Sequence, residues 1–440
     1  MGNMDSTENP ASGKPGRSHD ALEAFRHRNF RLFTAARFLI ISGIEMQSLA
    51  VGWQIYSITR RPLDLGLVGL AQFLPGLMLF WLGGHVADRF ERRNVLLCCE
   101  AGFALCSLAL LAITLRGVHG VGPIYCVLVG IGLIRVFNGP AGQAFIPLLV
   151  PAEIFPVASA WGSGVFNTAT ITGPLIGGLL YAAAGSPVPV YITAACALVL
   201  SAGLVGSMRV RGLQKSKRGA TEVLAGFRYV LKNRLILGSI SLDLFAVLLG
   251  GAVALLPVYA REILMAGPRG LGMLRASPAL GATLMALTLA NRPLRRHAGA
   301  KMMACVAAFG VCTIVFGLSR NLYLSMAALF LVGASDMVSV VMRSTLVQLA
   351  TPDEMRGRVS AVNLLFIGTS NEFGQFESGV TAQWWGAVPA VVVGGVGTLL
   401  VVGLWSIIFP ALRRVDELTP ESLRAARVVP VAEQTMTDAQ

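Results

Sequence analysis

Charge is what this sequence has least of. Asp, Glu, Lys and Arg supply 13% of its 440 residues, about half the share of roughly 25% found in a water-soluble globular chain. That deficit argues against the string of soluble domains that length alone would suggest. Other absences narrow the chemistry. No glycine-rich loop ends in Lys-Ser or Lys-Thr, so no ATP-driven engine is expected. No nucleophile and base stand in a hydrolase pattern. The 5 histidines are scattered without a metal-ligating pair, and the 7 cysteines, at 98, 99, 106, 126, 196, 305 and 312, fall inside apolar stretches without zinc spacing. They read as buried thiols. No enzyme activity, cofactor or metal is expected. Alternating strands of a membrane barrel are lacking, as is a cleavable leader.

What the chain has in abundance is apolar length. It is 54% hydrophobic with a mean hydropathy of +0.66. A membrane-spanning helix needs about 20 apolar residues. Twelve such segments recur, near 32–58, 64–87, 94–115, 121–146, 154–184, 188–208, 235–260, 270–290, 301–318, 322–349, 358–385 and 387–409. The fold expected is an all-α membrane protein of twelve spans. The net charge of +13 does not point to nucleic acid, because the basic residues follow a topology. With both termini inside, the outer loops carry only Arg60, Arg61, Arg116, Arg261, Arg269 and Arg320, and the inner loops and tails carry most of the rest. Cytoplasmic loops are the basic ones in membrane proteins, so both termini are expected in the cytoplasm.

The polar stretch around 209–234 divides six segments from six. Residues 1–24 read as a disordered tail, 25–209 as one six-helix bundle, 210–234 as a cytoplasmic linker, 235–410 as a second bundle and 411–440 as a cytoplasmic tail. The halves echo each other. Pro75 recurs 203 positions later as Pro278, and the charged stretch 88–93 as 291–296. At an offset of 201, Pro151, Glu153, Ser159, Gly173, Gly178 and Gly185 meet Pro352, Glu354, Ser360, Gly374, Gly379 and Gly386. Duplicated halves with the substrate between them are a common transporter plan.

Three stretches carry a family resemblance. Gly84-His85-Val86-Ala87-Asp88-Arg89-Phe90-Glu91-Arg92-Arg93 resembles the loop between spans 2 and 3 of the major facilitator superfamily, with Glu91 where glycine is usual. Arg135-Val136-Phe137-Asn138-Gly139 resembles the Arg-x-x-Gln-Gly stretch of the drug/proton antiporter branches. Thr172-Gly173-Pro174-Leu175-Ile176-Gly177-Gly178 resembles their Gly-Pro-x-x-Gly-Gly motif, with Ala169 at the upstream glycine. Residues 37–93 are also similar to the macrolide-efflux and enterobactin-exporter groups. The resemblance implies the major facilitator fold and alternating access in a bacterial inner membrane. It implies a gating loop of Gly84, Asp88, Arg89, Arg92 and Arg93, and a bendable contact at Gly173, Pro174, Gly177 and Gly178. Simple cytoplasmic anchoring and ordinary small-residue packing remain the plainer readings of these two.

Ionisable groups are costly in lipid, so those inside spans are candidate functional groups. Glu45 in span 1 is the leading proton carrier. Arg135 is its candidate partner or an anion binder, and Glu372 and Glu377 in span 11 are further proton-site candidates. For each, a permanent structural ion pair is the alternative. Asp336 stands 201 positions after Arg135 and is a candidate to pair with it across the halves; for Asp243 and Arg343, local charge pairs are the plainer reading beside a direct transport role. Family analogy lines the cavity with spans 1, 4, 7 and 10, which offer Gln47, Trp53, Gln54, Asn138, Asp243, Phe245, Asp336, Met342 and Arg343. Large apolar and amide groups suit an amphipathic organic solute. The function expected is proton-coupled export of a small compound such as a drug, siderophore or metabolite. The expected partners are lipid, solute and protons, and the carrier is expected to act as a monomer. Nutrient uptake and a non-transporting sensor or scaffold stay open.

Overall fold

A computed structural model describes residues 23–117, 120–208, 220–292 and 297–416. Most of both expected tails, the first part of the linker (210–219) and the repeat stretch at 293–296 lie outside the described residues, and Gly84 and Asp88 are described only by their place in α2. The described chain is helical throughout, with no strand. Its helices are α1 (Arg28–Thr59), α2 (Pro62–Arg89), α3 (Arg92–Leu115), α4 (Gly122–Phe145), α5 (Phe155–Ala184), α6 (Val188–Gly206), α7 (Ala220–Lys232), α8 (Arg234–Leu249), α9 (Leu256–Val258), α10 (Gly267–Asn291), α11 (Ala298–Leu318), α12 (Leu322–Ala350), α13 (Asp353–Trp385), α14 (Ala387–Ile408) and α15 (Pro410–Arg413). By length and composition, 10 described helical segments qualify to cross a membrane. The 30-residue α5 and the 33-residue α13 are long enough to cross but are not among those ten.

Local sequence explains the boundaries. Asn233 and Asn321 each accept two backbone N–H bonds as N-caps of α8 and α12, satisfying donors a helix start leaves open. Gly185 ends α5 at φ 64°, a left-handed conformation that side chains disfavour. The sequence expects span 11 from 358, whereas α13 begins at Asp353. Asp353 and Glu354 in its first turn complement the helix dipole. The expected seventh span is also not one helix. It breaks at Gly250-Gly251, then runs through a 3-10 turn, α9 and a π turn at Tyr259–Ile263. A Cβ at Gly250 would meet Phe309 at 2.5 Å, and one at Gly251 would meet the Gly374 backbone at 3.2 Å. Close packing from α11 and α13 therefore requires glycine where the helix yields.

The helices form two bundles. In the first, α1 packs on α5 and α6, α2 on α4, and α3 on α4 and α6. In the second, α10 packs on α12, α11 on α12 and α14, and α13 and α14 on α8. The amphipathic α7 rests on α13, with Phe227 against Phe366 at 6.2 Å. The bundles meet along two seams, α5 on α10 and α2 on α13. Lipid gives apolar helices little reason to associate, so small residues that admit close backbones supply the contact. A Cβ on Gly178 would lie 2.7 Å from the Pro268 carbonyl oxygen, and one on Gly379 would lie 2.7 Å from Gly66 Cα. These seams are related by the internal repeat. Gly178 and Gly379 correspond in it, and their partners Gly272 and Gly66, like Pro268 and Pro62, stand 206 positions apart.

The buried core shows how the bundles are set. At the end bearing residues 49–65, 181–191, 252–274, 316–329 and 382–391, one apolar cluster runs through both. At the opposite end the core splits in two. One part, around Phe30, Phe145 and Met208, belongs to the first bundle; the other, around Val230, Met302 and Leu412, belongs to the second. The molecule is closed at one end and parted at the other.

Candidate functional site

Near the middle of the seams the bundles bring ionisable groups together. Arg135 of α4 reaches Glu372 of α13 at 3.8 Å, and Gln375 donates to the same carboxylate at 3.2 Å. Gly69 admits this approach, because a Cβ there would sit 3.2 Å from the Glu372 carbonyl oxygen. Glu45 on α1 is half-buried, its Cβ 2.7 Å from where Gly173 would carry one. Gly173 and Gly177 thus press on α1, while Pro174 and Gly178 press on α10 across the seam. From α10, Arg275 donates to Ser48 of α1 at 3.0 Å and lies within electrostatic reach of Glu45 and Arg135. The Arg135 and Glu372 side chains stay 40% and 22% exposed. At 3.8 Å the pair is long and its arginine is partly accessible, so it is free to break when the halves move.

The closed end is held by a second cluster between bundles. Tyr56 donates to Glu262 at 2.6 Å, and Arg60 stands 3.6 Å from the same carboxylate. Arg261 donates to Ser57 and covers the Trp53 ring at 5.3 Å. Both Arg261 and Glu262 sit on the π turn, whose extra residue per turn is a frequent device at functional sites. Hydrogen bonds to charged groups contribute about 1.5–3 kcal/mol, and about 1.4 kcal/mol is tenfold in a population. Tyr56→Phe combined with Glu262→Gln is therefore expected to favour opening of this end about tenfold or more. Spin labels at the exposed Ile58 and Met265, one on each bundle, should report longer distances; an unchanged distribution would refute the latch.

The other expected site residues scatter. Gln47 is buried in the first bundle and accepts from Ser107. Gln54 is buried there as well, donating to Thr114 at 3.0 Å and accepting from Tyr191 at 2.6 Å. Trp53 packs at the closed end beside Tyr181. Met342 lies in the core of the second bundle, and Phe245 packs against Trp405, the ring centroids 5.3 Å apart and the planes tilted by 52°. Asn138 is half-buried on α4. Asp243 and Arg343 form a sealed ion pair, 9% and 3% exposed. Asp336 joins that pair and does not meet Arg135, whose partner is Glu372. The reason is direction: α12 turns Asp336 into its own bundle, beside Asp243, so equivalence in the repeat does not make it and Arg135 face each other. Glu377 is half-buried on another face of α13 from Glu372, with no ion pair among the described residues. In the loop, Arg93 donates to the Val205 carbonyl at 3.3 Å and also to that of Gly206, completing the C-terminus of α6. Arg89 is exposed and Arg92 half-buried.

The sequence profile of the transmembrane secretion effector family matches residues 19–438. The chain belongs to that family. It is a multi-pass membrane transporter of the major facilitator superfamily, not an enzyme. The enterobactin exporter EntS of Escherichia coli O1:K1 is 28% identical to it over 411 residues, covering 90% of this chain and 95% of the relative. The solved bacterial homolog of the human lysosomal transporter Spinster, inward-facing and unoccupied, superposes with a TM-score of 0.67 at 14% identity. That match covers 92% of this chain and 99% of the other. A POT family transporter in complex with 5-aminolevulinic acid gives a TM-score of 0.71 at 10% identity, covering 88% and 97%.

Within this transporter, sequence reasoning passed over Arg275, although an arginine inside span 8 is the same signal that singled out Arg135. It also passed over Glu100 of α3, buried to 4% exposure inside the first bundle. The Arg261 and Glu262 latch looked like loop charge, and only the π turn directs both side chains to α1.

Proposed function

We propose that the transporter is a proton-driven exporter of a small amphipathic organic compound, working by alternating access. In this reading it has twelve spans, a bacterial inner-membrane address, cytoplasmic termini and a monomeric working unit. The basic inner loops support that orientation. The parted end then faces the cytoplasm, and the latch of Tyr56, Arg60, Arg261 and Glu262 closes the outside. The observation that carries the proposal is the meeting of ionisable groups from both bundles between a closed and a parted end, Arg135 on Glu372 and Arg275 beside Glu45. The similarity to an exporter over nine-tenths of the chain supports the direction.

Glu45 serves as the proton carrier and Glu372 as the carboxylate that releases Arg135 when protonated. Protons taken up from outside and solute taken up from inside favour opposite-facing states, so the gradient drives the solute out. Gly173 and Gly178 tie the events together, because one helix face presses on Glu45 and the next on the other bundle. The gating loop of Gly84, Asp88, Arg89, Arg92 and Arg93 holds the inner end in the other state.

In inverted vesicles with an acidified lumen, a panel of amphipathic compounds should include one that alkalinises the lumen as it is taken up. Glu45→Gln is expected to reduce that proton-linked uptake at least tenfold while the protein remains folded in the membrane. Retained pH-driven uptake in the variant would remove Glu45 from the mechanism. Gradient-dependent accumulation by intact cells would instead indicate uptake.

A further inference from the structure

The Asp243–Arg343 pair is part of a three-membered cluster. Arg343 bonds Asp243 from α12 across to α8, and Asp336, seven residues before Arg343 on α12, acts electrostatically on both. The cluster opens on a small cleft of about 10 Å³, lined by Asp243, Asp336, Ser335, Ser339, Val306 and Phe309. That is close to the roughly 10–15 Å³ that one water needs. Arg343 is 2% exposed, and its Nη1 finds no well-formed hydrogen bond although it contacts Asp243. Among the described residues, no other charge acts on Asp336. The cleft side of α11 offers only Val306 and Phe309, and α10, which packs on α12 at Pro278 and Gly333, sends Arg275 toward α1.

One guanidinium neutralises one carboxylate. A second ionised carboxylate beside it would stand uncompensated at a depth where such a charge costs several kcal/mol. The three groups reach neutrality when they hold a single proton. Asp243 keeps the direct bond to Arg343, so Asp336, which lines the cleft with it, is where that proton sits. Ser335 and Ser339 of α12 line the same cleft. The bond broken on release is the carboxyl O–H of Asp336; the proton passes to water and the carboxylate turns to Arg343.

We propose that Asp243, Asp336 and Arg343 form a proton-binding centre inside the second bundle, separate from the groups between the bundles. The transporter thus holds two exchangeable protons, one at Glu45 and one at Asp336. The second becomes mobile when α8 bends at Gly250-Gly251 and draws Asp243 from Arg343. Its part in coupling rests on the proton-driven reading above; its existence does not.

Infrared difference spectroscopy of the purified full-length protein in H2O and D2O tests the site without any solute. The wild type is expected to show a protonated-carboxyl C=O band that shifts on deuteration and titrates reversibly. Asp336→Asn should abolish the component assigned to this centre. Asp243→Asn should abolish it too, because Asp336 then ionises to pair with Arg343. Glu45→Gln should leave it in place. A band untouched by both aspartate variants would overturn the proposal, as would its loss in Glu45→Gln alone. Should either aspartate variant fail to fold, the other still decides. If the band behaves as expected but no compound drives proton movement in vesicles, the centre stands and the coupling role falls.

Discussion

Gly272→Leu is expected to stop transport by preventing the end that is closed in this structure from closing. A Cβ at Gly272 already meets the Pro174 carbonyl oxygen at 2.5 Å and Gly178 Cα at 3.3 Å; the rest of a leucine has nowhere to go while α5 lies on α10. Overpacking costs about 1–3 kcal/mol where the structure must absorb it. A two-state carrier has a cheaper escape, which is to part the seam. The same energy then appears as a shift of roughly 5–150-fold toward the form in which this seam is open. Spin labels at Ile58 and Met265 should move apart, and flux in vesicles should fall more than tenfold. Gly164→Ala is the control, since a Cβ there meets nothing within 4 Å. A flux and distance distribution unchanged by Gly272→Leu would mean that the α5–α10 seam does not open during the cycle.

The second large effect belongs to stability. Arg343→Met removes the one cation of a buried cluster and leaves Asp243 and Asp336 facing each other. Breaking a buried ion pair by deleting one partner costs about 3–5 kcal/mol, so the variant's apparent melting temperature in detergent should drop sharply, with loss of the monodisperse fraction. Asp243→Asn should be far milder, because Asp336 remains to accompany Arg343. The double change Asp243→Asn with Arg343→Met should recover part of the loss of the single Arg343→Met. Equal damage from Arg343→Met and Asp243→Asn would show that Asp336 does not substitute. The Arg135–Glu372 pair sets the contrast: at 3.8 Å and partly accessible it is loosely held, so Glu372→Gln should lower the melting temperature far less than Arg343→Met.

The expectations that held best rest on properties a linear chain carries by itself. The long apolar segments became helices, ten of them long and apolar enough to cross a membrane, because lipid requires each span to satisfy its own backbone hydrogen bonds, and that requirement acts locally. Asp243 and Arg343 were legible as rare charges inside spans that need local partners, and the structure made them each other's partner. Gly173, Pro174 and Gly178 were legible as residues that weaken a helix and admit a neighbour. What failed were inferences about direction. Gln47 and Gln54 looked like cavity amides and are spent inside the first bundle, on Ser107, Thr114 and Tyr191. The apolar run through 235–260 looked continuous, and hydropathy does not register that Gly250 and Gly251 let α13 and the Phe309 ring close in.

Amino-acid order alone determined that this is a helical membrane protein with duplicated halves and a few ionisable groups at membrane depth, because hydropathy, charge bias and repeats are properties of order. The tertiary structure decided the pairing. It placed Arg135 against Glu372 instead of Asp336, folded Asp336 into its own bundle, and brought Arg261 and Glu262 to the far side of a seam more than 200 residues away in sequence. A side chain's partner depends on which face of which helix meets it, and that is set by long-range packing of small residues that no local pattern encodes.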